Sequence, residues 1–125
     1  KDRSFRPLPL WRVYIPKGND GTRPLGIPAV RDRVAQEVLR QLLSPLFERI
    51  FHADSYGYRQ ARNCQMAIRR VLELHRRGYK YVLDADIKGV FDNIPHAVIM
   101  AAVAAEVADG NILDLVERFL KAGVT

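Results

Sequence analysis

The chain has 125 residues, 48% of them hydrophobic, and a formal net charge of +6 at pH 7. This length suits one domain or part of a larger one, and the hydrophobic fraction is sufficient for a packed core, which excludes a disordered chain. No apolar run approaches the roughly 18 residues that span a bilayer, and the N-terminus has no signal-peptide pattern. We therefore expect no membrane partner.

The few cysteine and histidine residues argue against an internal disulfide and a zinc site. The single cysteine, Cys64, rules out an internal disulfide and fits a reducing compartment, so we expect a cytoplasmic protein. The three histidines, His52, His75 and His96, lack metal-ligand spacing with that cysteine, so no zinc site is expected. The chain starts abruptly and stops just after a helical pattern, and we interpret it as a fragment.

The charge is distributed unevenly along the chain. Residues 1–80 contain 17 Lys and Arg against 7 Asp and Glu, whereas residues 81–125 contain 3 against 7. A basic block beside an acidic one indicates a polyanion-binding surface next to a site for cations. A solvated basic face is the alternative, because net charge shows an electrostatic tendency and not specificity.

Residues 11–28, WRVYIPKGNDGTRPLGIP, predict two short strands around a turn. Residues 13–15 and 25–27 are β-prone, and the GNDG between them is rich in residues that tolerate positive φ. Three prolines each remove a donor from the ladder, so the hairpin is expected at an edge. Two basic residues, Lys17 and Arg23, flank its exposed tip.

Residues 29–51 change to a helical period. Two adjacent apolar rows recur along them and predict an amphipathic helix. The first row is Val30, Val34, Val38, Leu42, Leu46 and Ile50, and the second is Ala35, Leu39, Leu43, Phe47 and Phe51. Pro45 is expected to break or kink this helix near Ser44.

Three more helices are predicted after a loop at residues 52–63. Residues 64–77 form the first, with Asn63 as its N-cap and Gly78 just past its end. Pro95 starts the second, which runs to about residue 108, and Gly123 ends the third. The expected fold class is α+β, with helices outnumbering strands.

Residues 80–96, KYVLDADIKGVFDNIPH, place acids at the end of an apolar strand predicted for residues 80–86. Side chains alternate along a strand, so Asp84 and Asp86 are expected on one face, about 7 Å apart. Such a pair repels unless it is solvated, hydrogen-bonded or bridged by a cation, and Mg²⁺ suits carboxylates that also meet substrate phosphates. The alternative is that one acid caps the following turn and the other is solvated.

A glycine and an aromatic residue follow these acids. Gly89 allows a sharp turn that returns Phe91 towards the space in front of Asp86, where its ring could form the wall of a sugar pocket. A core phenylalanine is the alternative role for Phe91.

Three stretches together resemble the reverse transcriptases of prokaryotes, particularly those encoded by group II introns. DADIKGVFDNIPH resembles the first catalytic motif of that family. IPKGNDGTRPLGIPAVRDRVAQEVLRQLLSPLFERIF looks like its fingers hairpin and following helix, and DSYGYRQARN is similar to its S-x-G-F-R-x-G-R-N motif. The resemblance covers nearly the whole chain, and the ordered set is far more specific than any one motif.

The resemblance implies a right-hand polymerase, with fingers at residues 1–79 and the start of the palm at residues 80–125. Asp86 matches the metal-binding aspartate, and the carbonyl of Ile87 is expected to bind the same Mg²⁺. Phe91 matches the steric gate that disfavours a ribose 2′-hydroxyl. Lys17 and Arg23 match the basic fingers residues that reach the incoming triphosphate.

Four further residues receive weaker roles from the resemblance. Arg12 and Arg59 are candidate RNA-binding residues, Arg12 through the template backbone and Arg59 through packing of the fingers. Asp84 is expected to support the metal site indirectly, and Asp92 to order the turn after the strand.

Two positions depart from the family pattern. Ala61 stands where the family motif has its second glycine, so that loop is expected to pack differently. Trp11 stands where some relatives have a basic residue, and both base stacking and hydrophobic packing remain open for it.

The family also carries a Y/F-A-D-D motif with further catalytic carboxylates, which does not occur between Lys1 and Thr125. The resemblance therefore implies a piece of an RNA-directed DNA polymerase that is inactive alone. Its expected partners are an RNA template, a DNA primer, dNTPs and intron RNA, and exposed apolar surface favours self-association of the fragment. The alternatives are a non-catalytic, maturase-like RNA-binding module and a structural helical domain with incidental charge.

Overall fold

The computed structural model describes residues 4–18, 21–87 and 89–125, and for residues 91 and 92 it describes the backbone alone. Within these ranges two strands precede five helices. The order is β1 (Trp11–Lys17), β2 (Gly21–Ile27), α1 (Val30–Phe47), α2 (Cys64–Arg76), α3 (Val90–Asn93), α4 (His96–Glu106) and α5 (Gly110–Lys121). Within these ranges no helix is long and apolar enough to cross a membrane.

The predicted hairpin is confirmed. β1 and β2 pair antiparallel from Trp11↔Ile27 at the base to Lys17↔Gly21 at the tip, and they form a two-stranded sheet. Both strands are edges of this sheet, which is why prolines at positions 16 and 24 are tolerated. Residues 19 and 20 of the predicted turn lie outside the described residues.

The predicted helix after the hairpin is confirmed as α1; of the break or kink predicted at Pro45, the break is wrong and the kink stays a prediction. The helix continues to Phe47, and the N–H of Glu48 still donates to the carbonyl of Ser44 at 2.9 Å. A proline removes its own N–H from the helical ladder and crowds the carbonyl four residues earlier, but the N–H groups after it can still donate.

The two apolar rows of α1 have different surroundings. Leu39, in the second row, is buried. Four residues of the first row that lie within α1 are more than half exposed. They are Val30, Val34, Val38 and Leu42. These four side chains therefore form an apolar surface that the other described residues cover by less than half.

The three later helices have the predicted signals at their ends. The Asn63 side chain accepts a hydrogen bond from the N–H of Met66 and so caps α2, and Gly78 follows α2 with a φ of 100°. Pro95 precedes α4, while α5 is capped by Asp109 and followed by Gly123 with a φ of 74°. The short helix α3 was not predicted.

The strand predicted for residues 80–86 is wrong. Residues 79–87 are exposed and join no β-ladder within the described chain. A strand is stabilised by hydrogen bonds to a neighbouring strand, and within the described chain this stretch makes no such ladder. The fold class α+β is therefore confirmed through the hairpin and helices, without the palm strand.

The base of the hairpin contacts the last described residues. Leu10 and Val124 form a parallel β-bridge, in which the N–H of Leu10 donates to Gly123 at 3.0 Å and the N–H of Thr125 donates to Leu10 at 2.9 Å. The division at residue 80 stays a prediction, but contacts between the two predicted units occur at this bridge.

Candidate nucleotide and nucleic-acid site

The hairpin tip brings two predicted basic residues together. Arg23 is paired with Ile15, and Lys17 lies two residues further along β1, so both side chains project from the same face as diagonal neighbours. Lys17 and Arg23 line one cavity of about 250 Å³ together with Ile15, Pro16 and Gly18. Two exposed cations beside one small cavity make an attractive site for a polyanion such as a phosphate chain.

Arg12 is separated from that pair. It is paired with Gly26 and alternates out of phase with Lys17 along β1, which places its side chain on the opposite face of the hairpin. Its backbone N–H donates to the carbonyl of Thr125 at 3.0 Å. The predicted triphosphate and template contacts therefore belong to two faces of one element.

Trp11 lies at the base of the hairpin and is 70% exposed. It shares its face with Lys17, from which it is separated by about 20 Å along the strand. The ring is accessible at this position, and both roles expected for Trp11, base stacking and hydrophobic packing, stay predictions.

Gly26, within the stretch RPLGIP, allows a close approach at the same base. A Cβ added there would lie 3.0 Å from Cδ1 of Leu10. A side chain at position 26 would push Leu10 away, so the glycine keeps the start of β1 against β2.

The predicted metal ligands lie in the exposed stretch of residues 79–87. Asp84 and Asp86 are exposed, and neither carboxylate has a hydrogen-bond or ion-pair partner within the described chain. No group of three or more His, Cys, Asp or Glu residues assembles into a metal site across the described ranges. The Asp86 carboxylate and the Ile87 carbonyl are oxygen donors of the kind that Mg²⁺ prefers, and they fit part of such a site.

Gly89 ends this stretch with a φ of 61°, in the left-handed region that glycine adopts without strain. Glycine therefore fits this position, whereas the return of Phe91 towards Asp86 stays a prediction. The amide nitrogen of Asn93 donates to the carbonyl of Gly89 at 2.8 Å and so links Gly89 to α3. Lys88 and the side chains of Phe91 and Asp92 lie outside the described residues, so the steric-gate assignment stays a prediction.

Arg59 lies inside the loop of residues 48–63, with its side chain only 6% exposed. Its guanidinium donates to Oε2 of Glu48 at 2.8 Å and to the carbonyls of His52 and Ser55, at 2.9 and 3.1 Å. It also lies over the ring of Phe51, 5.2 Å from the centroid. These contacts fit packing of the loop, and they occupy the donors that an RNA contact would need.

Charge pairing lowers the pKa of two acids around this loop. Hydrogen bonds from Arg59 lower the pKa of the Glu48 carboxyl. Hydrogen bonds from Arg70 do the same for Asp54, and that ion pair joins the loop to α2 with 2.9 Å between Nε and Oδ1. Both acids are stabilised in their charged forms.

Ala61 has a φ of 58°, a conformation in which its Cβ crowds the backbone. The loop therefore keeps the backbone shape that glycine favours, even though this chain has alanine there. The expectation that the loop packs differently has no support in this backbone angle. Tyr58, with a φ of 55°, is in the same region.

Asp32 is a residue that the sequence did not single out. It lies in the first turn of α1 and is 1% exposed, and its Oδ2 accepts from the N–H of Leu8 at 2.8 Å. An acid in the first turn of a helix is ordinary, because it complements the helix dipole. The sequence therefore gave no sign that this one is buried against the N-terminal segment.

Over residues 15–124 the chain matches the family model described as reverse transcriptase (RNA-dependent DNA polymerase). It is 41% identical over 124 residues to protein YkfC of Escherichia coli, covering 95% of this chain and 32% of that protein. It is 36% identical over 124 residues to the group II intron-encoded protein LtrA of Lactococcus lactis, covering 98% of this chain and 20% of that protein.

A further relative is nuclear intron maturase 1, mitochondrial, of Arabidopsis thaliana, which is 34% identical over 94 residues. That match covers 75% of this chain and 13% of the relative. The chain thus spans a third or less of the length of these three relatives. It belongs to the reverse transcriptase family, in the group that includes group II intron-encoded proteins and intron maturases.

Proposed function

We propose that the whole protein is an RNA-directed DNA polymerase and that this chain supplies its fingers and the start of its palm. The observation that carries the proposal is the pair of cations, Lys17 and Arg23, on one face of an exposed hairpin tip. In a family defined by nucleotide polymerisation, such a pair suits the triphosphate of an incoming dNTP.

Asp86 and the carbonyl of Ile87 are proposed to hold Mg²⁺. When bound, the ion neutralises charge that develops on phosphate oxygens and activates the attacking hydroxyl. Lys17 and Arg23 then bind and orient the phosphates, while Phe91 borders the sugar and disfavours a 2′-hydroxyl. Asp86 alone cannot hold two metal ions, so the 125-residue chain is expected not to extend a primer by itself.

Arg12 is assigned to the backbone of the RNA template. It lies on the face of the hairpin opposite Lys17, so template and triphosphate can be bound at once without competing for the same cations. The contact is with phosphate and carries no sequence preference.

A non-catalytic, maturase-like RNA-binding module is the second candidate. The name of the Arabidopsis relative, an intron maturase, favours it. Under either function the isolated chain is expected to bind RNA through several phosphate contacts, with an affinity that falls steeply as salt rises.

The two faces of the hairpin allow a matched test in the whole protein. Lys17→Ala and Arg23→Ala should each raise the KM for dNTP by roughly tenfold, since each removes a charge-assisted contact to phosphate. Arg12→Ala removes the same charge from the opposite face, and it should weaken RNA affinity while leaving the KM for dNTP unchanged. Steady-state primer extension and RNA titration measure the two quantities.

The same assay can contradict the proposal. If Lys17→Ala abolishes primer binding and leaves the KM for dNTP intact, the hairpin tip does not bind the nucleotide. If the wild-type whole protein does not polymerise, the variants cannot be compared by their KM for dNTP. The maturase-like function then replaces the polymerase function as the proposal.

A further inference from the structure

Side chains of two helices hold the N-terminal segment, which we define as residues 4–10. Nη2 of Arg31, on α1, donates to the carbonyl of Arg6 at 2.7 Å, and Nη1 of Arg118, on α5, donates to the carbonyl of Phe5 at 2.9 Å. The ring of Phe5 lies 6.0 Å from the ring of Phe119. The segment is thus bound across α1 and α5 before it enters the hairpin.

Asp32 makes the most buried of these contacts. Among the described residues it is the one side chain that is fully buried, and its Oδ2 accepts from the N–H of Leu8 at 2.8 Å. Its other oxygen, Oδ1, lies 3.3 Å from Nε of Arg31 and makes no hydrogen bond. Burying a carboxylate is unfavourable unless charge and hydrogen bonds compensate for the lost water.

The compensation comes from three sources at one point. Asp32 lies in the first turn of α1, where the exposed backbone N–H groups favour a negative charge. The Arg31 guanidinium supplies a nearby positive charge, and the N–H of Leu8 supplies the hydrogen bond. Helix stability alone does not require burial, because a first-turn acid on the surface complements the dipole as well.

The bond to Leu8 fixes the place from which β1 starts. Only two residues separate Leu8 from Trp11, the first residue of β1. Leu10, between them, is bonded on its other side to Gly123 and Thr125. The base of the hairpin is therefore held from α1, from α5 and from the end of the chain, whereas Lys17 and Arg23 lie at its free end.

We propose that Asp32 is a positioning residue for the basic hairpin tip: by holding Leu8 it sets the direction in which β1 leaves the helices. The proposal rests on the proposed function, since the cations that it positions are those assigned to the triphosphate. A small rotation at the base is magnified along a strand of about 20 Å, and displacement of about 1 Å at a reacting group is costly.

The test uses three variants that separate the contact from helix stability. Asp32→Ala removes the acceptor, whereas Asp32→Asn keeps an oxygen able to accept from Leu8. Leu8→Pro removes the donor from the other side and leaves α1 unchanged. Glu37→Ala, an exposed acid on the same helix, is the matched control.

Amide hydrogen exchange tests whether Asp32 holds Leu8, and this measurement does not require polymerase activity. In Asp32→Ala and Leu8→Pro, exchange of the amides present in residues 8–17 should rise at least tenfold while exchange of α2 and α5 stays within about twofold; Pro9 and Pro16 have no amide hydrogen, and Leu8→Pro has none at position 8. Asp32→Asn should lie near wild type, and Glu37→Ala should equal it. A rise spread over the whole chain, or no rise at residues 8–17 in Leu8→Pro, would overturn the proposal.

Steady-state kinetics of the whole protein complete the test. Asp32→Ala and Leu8→Pro should raise the KM for dNTP roughly tenfold with kcat changed less than about threefold, and Asp32→Asn should restore the KM. If exchange rises at residues 8–17 but the KM is unchanged, Asp32 is structural only, and the proposed polymerase function is unaffected. If the wild type lacks polymerase activity, the exchange result still decides whether Asp32 holds the hairpin.

Discussion

Two regions carry family motifs, the loop of residues 48–63 and the stretch of residues 79–87. They differ in the contacts that each makes with the rest of the described chain. The loop is closed by its own neighbours, because Arg59 binds Glu48 and two loop carbonyls and Arg70 binds Asp54. Residues 79–87 are exposed along their whole length and join no sheet within the described chain.

This difference shows that a motif can form from the given residues when its contacts are close together in sequence. Every partner of Arg59 lies within 11 residues of it, so the loop needs only nearby contacts. A buried strand needs neighbouring strands, which can be distant in sequence. A motif built from local contacts is therefore formed here, whereas the stretch around Asp86 joins no ladder within the described chain.

The largest effect is expected from removing Arg59, whose side chain makes the central contacts of the loop. Arg59→Ala should lower the Tm by roughly 10 °C, because two carbonyls and a carboxylate lose their donor and the Phe51 ring loses its cover. Asp86→Ala, in the exposed stretch of residues 79–87, should change the Tm by less than about 2 °C. Thermal unfolding followed by circular dichroism measures both.

Arg49→Ala is the control for the first substitution, since Arg49 is an exposed arginine at the same end of α1. It should leave the Tm near wild type. An equal loss in Arg49→Ala and Arg59→Ala would mean that net charge, and not the contacts of Arg59, stabilises the loop.

A smaller effect sharpens the account of the loop backbone. Ala61→Gly should raise the free energy of unfolding by about 1 kcal/mol, because glycine adopts the φ of 58° without the Cβ crowding that alanine suffers. Ala67→Gly, within α2, should lower it by about the same amount, since glycine weakens a helix interior. Urea denaturation gives both values, and a decrease for Ala61→Gly would contradict the backbone assignment.

The smallest predicted effect is a loss of stability in acid. The pKa of Glu48 is lowered in the folded chain from its usual 4.5, and that of Asp54 from its usual 3.8. Folding therefore favours both charged forms, so their contribution is complete above pH 4.5 and is lost as the pH falls through the lower folded values. Because both ion pairs are partly exposed, the loss should be small.

Carbon-13 NMR of the carboxyl groups tests this directly. The Glu48 pKa should lie below 4.5 in the wild type and return towards it in Arg59→Ala. A Glu48 pKa that is the same in both proteins would show that Arg59 does not hold this acid.

Elements with local signals could be predicted from the sequence. The hairpin, the Asn63 cap and the glycines after α2 and α5 each depend on residues a few positions apart. The strand at residues 80–86 could not be predicted correctly, because its apolar pattern is typical of a buried strand but does not say which strands lie beside it. The break at Pro45 was wrong because the sequence does not show whether the N–H groups after a proline find their helical acceptors again.

In the candidate site too, residues with local sequence signals were predicted and a residue that depends on a distant contact was not. The sequence predicts Lys17 and Arg23 at one tip, and the antiparallel register brings them to one face. It does not reveal Asp32, because burial of that carboxylate depends on Leu8, 24 residues away along the chain. Such a contact has no local signature, so only the folded chain shows it.

Primer extension on an RNA template by the whole protein tests the central claim most directly. Wild type should extend a DNA primer with dNTPs, Asp86→Ala should abolish extension, and Asp84→Ala should retain part of it, since only Asp86 is assigned to the metal. In the same assay Phe91→Ala should increase ribonucleotide incorporation relative to dNTP at least tenfold, because it removes the predicted gate. Full extension by Asp86→Ala would contradict the assignment of this chain to the catalytic palm of a polymerase.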